Sequence, residues 1–497
     1  MNRMRLSEVL RELSPKITGA DLPLPQNAAV STGNIVSGGI FIAISGNKAD
    51  GHDFIPQALE TCQVIVHSKP LALTASGKTF CQVSDTRKAA ALIFRALSGM
   101  PDARLKLLGV TGTNGKTTTV CLLRHLFAGR CGMLSTVEYD NGRTVVPATH
   151  TTPGPEALFK AFREMADHQL EYAAMELSSH ALDQSRAYGC SFTCAIFTNL
   201  TGDHLDYHQD MESYYQAKKR FFTELLARDG CAVINIDDAG GERLARELAD
   251  FSGTLLTFGC RKEAMCRIRD LTCSASGIAF VLETPTGKLL LESTLNGRFN
   301  AYNLAGAVLA AWFCGLDERR ITERLALPVR VPGRLEKFSR PGGAAFFVDF
   351  AHTDDALVNV LDTLRQLRPE RLICLFGAGG SRDRSKRPRM GAAAAANADI
   401  LILTSDNPRD EDPAKIIEDV LSGIPDAEKC CVIPDREQAI RHAVKIARKG
   451  DIVLIAGKGH ENTQEIRGVK IPFSDAEVLS KLLKDLPLEK KQNGITL

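Results

Sequence analysis

The stretch LLGVTGTNGKTTT, Leu107 to Thr119, places an apolar run, a glycine-interrupted turn and the start of a helical pattern directly in sequence. LKLLGV reads as a buried strand, TGTNGK as a turn and TTTVCLLRHLF as a helix with an apolar face. A loop between a strand end and a helix N-terminus aims unpaired backbone N–H groups at an anion. The strict phosphate-loop pattern GxxxxGK[ST] would need glycine where this chain has Val110, so the flanking elements carry the reading more than the spelling. Gly112 and Gly115 let the backbone approach a phosphate, Lys116 bridges outer phosphates, and Thr117 holds Mg²⁺.

Outward from that loop the same alternation continues. From Leu105 to about Lys337 the segments LKLLGV, YAAMEL, CAIFTNL and CAVINI read as buried strands between helices. Before it, GIFIAIS and VIVHS alternate with helical stretches such as RKAAALIFRALSG; the opening MNRMRLSEVLREL reads as an amphipathic helix, with charges that do not suit a signal peptide. After the punctuation of VPGRLEKFSRPGGAA, the segments AFFVDF, RLICLFG, ADILILTS and DIVLIAG read as strands, and GAAAAANA as a helix former. Strand and helix in alternation imply an α/β fold with a mainly parallel sheet. At 497 residues the chain is too long for one ordinary core, and three domains are expected: 1–104, 105–337 and 338–497.

Composition bounds the function. With 44% apolar and 24% charged residues, the chain has the make-up of a globular enzyme. The formal net charge of +2 gives no electrostatic reason to expect nucleic acid or an anionic membrane. No apolar run is long enough to span a bilayer. The fourteen cysteines lack CxxC pairs and zinc-finger spacing, which suits reduced thiols and a cytoplasmic location.

Two further strand ends carry polar clusters. MELSSHALDQSR, Met175 to Arg186, puts Glu176, Ser178 and His180 at a strand's C-terminal end, where open α/β sheets bind ligands. Glu176 suits an acidic Mg²⁺ ligand, although ExSSH alone equally reads as a capped helix start. CAIFTNLTGDHLDYH ends in Asp203, His204, Asp206 and His208 and breaks the tie in favour of a site. No third ligand at transition-metal spacing lies nearby, which favours Mg²⁺ or substrate over zinc.

Taken in order, GTNGKTTT, MELSSHALDQSR, TNLTGDHLDYH, NGRFNAYNLAGA, PGRLE, DFAHTDDAL and AGKGHE resemble the ATP-dependent Mur ligases of peptidoglycan synthesis over essentially the whole chain. Within that family TSDNPRDEDP, Thr404 to Pro413, is similar to the signature of enzymes that add meso-diaminopimelate to UDP-N-acetylmuramoyl-L-alanyl-D-glutamate. The resemblance implies a central P-loop-type ATPase domain, a Rossmann-like C-terminal domain and an acyl-phosphate mechanism using ATP and Mg²⁺. It implies catalytic roles for Lys116, Glu176, His204 and Lys218, with Thr117, Glu176, His204 and a carbamylated Lys218 around metal. Read without the resemblance, Lys218 beside Lys219 is a solvated helix lysine.

The same resemblance implies ATP contacts from Gly112, Thr113, Asn114, Gly115, Lys116, Thr117, Thr118, Asn300, Asn303, Arg334 and Asp349. Contacts to the muramoyl-peptide substrate are implied for Thr151, Thr152, Ser178, Gln184 and Arg186, and, by alignment on GIFIAISG, for Val30 and Thr32, with Asn47, Lys48 and Ala49 following. Arg382, Asp406, Asn407, Pro408, Arg409, Gly457 and Glu461 are implied around diaminopimelate, whose far carboxylate suits the planar Arg409 guanidinium. A monomer whose domains close on substrate is expected, with no nucleic-acid or membrane partner. The chain departs from the family pattern at VSTGN, at Phe350 for tyrosine, at Asp354 for proline and at His150 for asparagine. The alternatives are a lysine-adding Mur ligase, a folylpolyglutamate synthetase and a nucleotide-binding protein without ligation; DNPR argues against the first two and the metal-site set against the third.

Overall fold

The computed structural model describes residues 4–46, 49–71, 75–202, 205–274, 276–339 and 343–485. The chain divides into two compact units, one of Met1–Arg269, Val281–Leu290 and Tyr302–Leu325, the other of Asp270–Phe280, Leu291–Ala301 and Ala326–Leu497. Both are α/β with mostly parallel sheets.

In the first unit, the strands Lys16–Thr18, Thr79–Gln82, Val64–His67, Ile40–Ile42 and Ala28–Ala29 lie in that order in a small sheet. Only the Lys16–Thr18 pairing is antiparallel. The helix Thr86–Leu97 starts where the Asp85 carboxylate accepts from the Arg87 and Lys88 amides, and it buries Ala89 through Phe94. The opening segment is not the single amphipathic helix its pattern suggests. It forms an α-turn at Leu6–Val9 and a 3₁₀ turn at Arg11–Leu13, ending at Ser14 in the left-handed region, because Pro15 disfavours a helical residue before it.

The larger sheet runs Thr254–Gly259, Leu226–Asn235, Phe192–Phe197, Lys106–Thr111, Tyr172–Glu176 and Cys131–Leu134, every pairing parallel. Antiparallel strands Glu138–Asp140 and Val145–Pro147 extend it. Lys106–Thr111 is buried at every position after Lys106, as strands covered on both faces are. After Lys106–Thr111 the chain builds Cys131–Leu134 and Tyr172–Glu176 on one side, then crosses to place Phe192–Phe197 on the other. The phosphate-loop strand therefore stands at the topological switch point, where doubly wound sheets open a crevice.

In the second unit the order is Glu336–Ser339, Ala345–Asp349, Ile452–Ala456, Leu372–Phe376, Ile400–Leu403 and Cys430–Val432, antiparallel only at the first pair. Helices Asp354–Arg365, Lys386–Asn397 and Pro413–Leu421 pack through Leu357, Leu361, Met390 and Val420 into one apolar cluster. Arg436–Ile446 and Asp475–Asp485 pack through Ile440, Ala443 and Leu479 into another. Glu336–Ser339 hides in sequence inside a Pro/Gly-rich run because it is short and its burial alternates.

Candidate functional site

Parallel register brings three strand ends level in the first unit. Val110 lies opposite Glu176 on one side and Ile196 on the other, so the turn Gly112–Gly115, Glu176 and the segment after Phe197 share one edge of the sheet. Gly115 caps the helix Lys116–Phe127 at φ +87°, and an added Cβ there would collide with Asn303 Oδ1. One added at Gly112 would collide with Thr198 Oγ1. Both glycines are thus required by neighbours as well as by backbone angle.

The turn is tied down by residues that sequence reading passes over. Thr198 Oγ1 donates to Asn114 O at 2.6 Å, and Asn199 Oδ1 accepts from the Asn114 amide at 2.9 Å. Thr113 Oγ1 lies 3.1 Å from Tyr214 OH and accepts from the Thr201 amide at 3.0 Å. Lys116 Nζ donates to Gly112 O at 2.9 Å and Thr113 O at 2.8 Å. Thr117 and Thr118 are buried in the first helical turn.

Lys218 is not a solvated lysine. It is 1% exposed, its Nζ donates to Gly112 O at 2.8 Å, and it lies 4.4 Å from the Tyr214 ring centroid. Two ammonium groups from distant parts of the sequence therefore converge on one carbonyl of the turn. Asp210 starts the lysine's helix, Met211–Arg220, by accepting from the Ser213 amide.

Glu176 is fully buried, and Thr136 holds both carboxylate oxygens: the Thr136 amide donates to Oε1 at 2.7 Å and its hydroxyl to Oε2 at 3.1 Å. Thr136 Oγ1 in turn accepts from the Thr151 hydroxyl at 3.1 Å. Thr152 Oγ1 donates to Glu176 O at 2.8 Å and accepts from the Ser178 amide at 3.0 Å. Arg186 donates to Thr152 O at 2.5 Å and to Gln184 Oε1 at 2.9 Å. Burial lowers the Arg186 pKa. Ser178 also caps the helix Ser179–Asp183, accepting from the Ala181 amide, just past the end of the strand Tyr172–Glu176.

His204, Asn47 and Lys48 lie outside the described residues. His208 is buried, its ring between those of His180 at 5.6 Å and Tyr214 at 5.2 Å. Among the described residues no three His, Cys, Asp or Glu side chains gather as a metal cluster. Val30 is exposed and Thr32 begins a 3₁₀ turn, Thr32–Asn34.

The second unit holds its own cluster. Asp349 is buried, and its oxygens accept from the Leu335 amide at 2.7 Å and the Ala351 amide at 2.8 Å. Burial raises its pKa against the pull of Arg334. The Arg334 guanidinium stacks 5.1 Å from the Phe350 ring, which in turn lies 5.0 Å from the His460 ring. Gly457 donates its amide to Asp349 O at 3.1 Å. Asn300 is buried and spends its amide nitrogen on Asn296 O at 2.7 Å.

Around Asp406 the side chains interlock. Lys458 Nζ donates to Asn407 Oδ1 at 3.0 Å and Glu461 Oε2 at 2.9 Å, and Asn407 Nδ2 donates to the same Glu461 oxygen at 2.8 Å. Asp406 is buried, its Oδ2 has no hydrogen-bond partner among the described residues, and desolvation raises its pKa. Arg409 takes φ +51°, follows Pro408 in the turn and donates from Nη1 to Gly380 O at 2.7 Å. Arg382 is exposed. Its arginine neighbours are committed to acids: Arg387, 1% exposed, pairs with Glu411 and Asp419, Arg384 with Asp419, and Arg389 with Asp354.

The turn thus gathers two lysine ammonium groups at one edge of a parallel sheet, and Asn407, Lys458 and Glu461 form a charged, hydrogen-bonded cluster in the second unit. Comparison with known proteins agrees in kind. Residues 110–311 match the Mur ligase middle domain and residues 333–459 the Mur ligase glutamate ligase domain. The chain is 40% identical, over 97% of its length and 99% of the relative's, to the UDP-N-acetylmuramoyl-L-alanyl-D-glutamate--2,6-diaminopimelate ligase of Geobacter metallireducens. It is 41% identical to the one of Geobacter sulfurreducens, over 95% and 97%. A solved structure of a ligase of that name superposes with a TM-score of 0.71 at 33% identity, covering 97% of this chain and 99% of that one. A glycine turn at the switch point and kinship along nearly the whole length lead to one statement: the chain belongs to the Mur ligase family.

Proposed function

We propose that the chain is an ATP-dependent, ADP-forming amide ligase that adds meso-diaminopimelate to the D-glutamyl γ-carboxylate of UDP-N-acetylmuramoyl-L-alanyl-D-glutamate, in peptidoglycan precursor synthesis. The observation that carries it is the convergence of Lys116 and Lys218 on Gly112 O, in a turn level with the buried Glu176. Near-full-length similarity to ligases named for this reaction supports the choice of acceptor and amino acid.

A carboxylate is a poor acyl donor because its oxygen leaves badly. Its oxygen attacks the γ-phosphorus of ATP, the bond to ADP breaks, and an acyl phosphate forms. The free amine then attacks the acyl carbon, the tetrahedral intermediate loses phosphate, and the nitrogen gives up a proton to leave the amide. Both steps crowd anionic oxygens together, which fixed positive groups must offset. Lys116 and the amides of Gly112–Thr118 supply them. Mg²⁺ takes hard oxygen ligands, and a buried carboxylate oriented by Thr136 beside a threonine-bearing phosphate turn fits that preference. Thr117 and Glu176 would hold it, and when bound it neutralises phosphate charge. Lys218 as a carbamate would add an anion there, and His204 a further ligand.

The reading assigns the muramoyl peptide to Val30, Thr32, Thr151, Thr152, Ser178, Gln184 and Arg186, and the adenine side to Asn300 and Asn303 with Arg334 and Asp349. It assigns diaminopimelate to Arg382, Asp406, Asn407, Pro408, Arg409, Gly457 and Glu461. Residues 1–104, 105–337 and 338–497 serve as the UDP-sugar, ATP and amino-acid segments of a cytoplasmic monomer. The test is phosphate release from ATP in the presence of the UDP-dipeptide with meso-diaminopimelate, L-lysine or neither, the product weighed by mass spectrometry. Release and a tripeptide with diaminopimelate alone are expected; equal turnover of lysine would overturn the assignment of the amino acid.

A further inference from the structure

The hairpin of Thr463–Ile466 and Val469–Pro472, two short strands in antiparallel register, packs on the DNPR turn through four separate hydrogen bonds. Gln464 Nε2 donates to Asp406 O at 2.6 Å, and the Glu465 amide donates to Asn407 Oδ1 at 3.0 Å. The Arg409 amide donates to Glu465 O at 3.0 Å, and the Arg467 amide to Arg409 O at 2.7 Å. Arg409 is thus gripped on both sides of its Cα while it holds φ +51°, a conformation that costs a non-glycine residue energy unless its surroundings impose it.

The side chain is held as well. Glu465 Oε2 lies 3.3 Å from Arg409 Nε, and Gly380 O accepts from Nη1 at 2.7 Å. Those anchors occupy the Nε side and one Nη1 hydrogen; Nη2 has no hydrogen-bond partner among the described residues. A guanidinium pinned at two corners presents its third in a fixed direction, which is what recognition of a planar carboxylate requires.

We propose that Glu465 is a positioning residue for amino-acid selection: its carboxylate orients the Arg409 guanidinium toward the far carboxylate of the incoming diamino acid, and the hairpin is the element that carries it. This rests on the ligase reading above. The role differs from simple scaffolding, because the backbone anchors of Glu465 survive a change of its side chain.

The test is steady-state kinetics of the full chain as wild type, Glu465→Gln and Lys470→Gln, reading KM and kcat for each of the three substrates. Lys470 lies opposite Glu465 in the hairpin register and is exposed, so its variant controls for disturbance of the hairpin alone. Glu465→Gln is expected to raise KM for meso-diaminopimelate about ten-fold, with kcat and the other two KM values within about two-fold, and Lys470→Gln to match wild type. An unchanged or lowered diaminopimelate KM in Glu465→Gln would overturn the inference, as would a parallel rise for all three substrates or an equal effect of Lys470→Gln. A wild type that releases no phosphate with diaminopimelate would instead sink the ligase reading, and this inference with it.

Discussion

At the scale of single residues, Gly115 shows how little freedom the phosphate turn has. Alanine there would need a left-handed backbone and would meet Asn303 Oδ1, so Gly115→Ala is expected to lower nucleotide affinity at least ten-fold; fluorescence titration with an ATP analogue checks it. Lys218 shows the opposite case, an ordinary lysine by sequence made special by burial. Lys218→Ala should lower kcat by about 10²–10³, the range for losing one preorganised charge-stabilising group, with ATP binding measured separately.

His460 gives a pH prediction. Burial first, then the nearby Arg334 charge, depresses its pKa from the usual 6.5 to about 4. Between those values the unfolded chain binds a proton that the folded chain refuses, so stability falls as pH drops from about 6.5 to about 4 and levels off below. The loss from this group is on the order of 3 kcal/mol. Urea unfolding at pH 7 and pH 4.5 should show a smaller difference in His460→Gln than in wild type; an identical difference would refute the assignment.

At the scale of elements, the second unit ties two helices to its sheet through one buried ion pair. Arg436 and Asp475 open the helices Arg436–Ile446 and Asp475–Asp485, are both fully buried side chains, and pair at 2.7 Å. Arg436 also donates to Ser405 O and Ala456 O, at the strand ends beside Asp406 and Gly457. Arg436→Met alone leaves Asp475 as an uncompensated buried charge and should cost about 3–5 kcal/mol, whereas Arg436→Met with Asp475→Leu should cost much less. Denaturant midpoints of the three proteins decide it.

The elements also show what pattern alone conceals. The strands Lys106–Thr111, Tyr172–Glu176 and Phe192–Phe197 are legible because continuous apolar runs between glycines and helices leave few other readings. The hairpin Thr463–Pro472 is not, since TQEI and VKIP are only four residues each, half-buried or exposed, and the apolar Val469 and Ile471 face solvent. It is held by its contacts to Asp406, Asn407 and Arg409.

At the scale of the whole molecule, all fourteen cysteines are free, and only Cys260, Cys273, Cys314 and Cys431 fall outside the buried class. Burial pushes the Cys81 and Cys131 thiols up to about 12, far from the reactive thiolate. A thiol reagent at pH 8 is therefore expected to modify at most those four quickly, and the other ten only on unfolding. Rapid reaction of all fourteen would contradict the packing described.

What the sequence by itself determined is the order of elements and the chemistry of their ends: strand, glycine turn, Lys116 and Thr117, then Glu176 at a second strand end and DNPR at a third. Apolar period and turn residues are local properties, so they can be read one segment at a time. Only the tertiary structure decided that Lys218, 106 residues from Gly112, donates to its carbonyl, that Thr136 holds Glu176, that Thr198 closes on Gly112, and that Glu465 faces Arg409. Lysines, threonines and glutamates are at home on any surface, and nothing local distinguishes the ones that parallel register and crossover connections carry into a buried site.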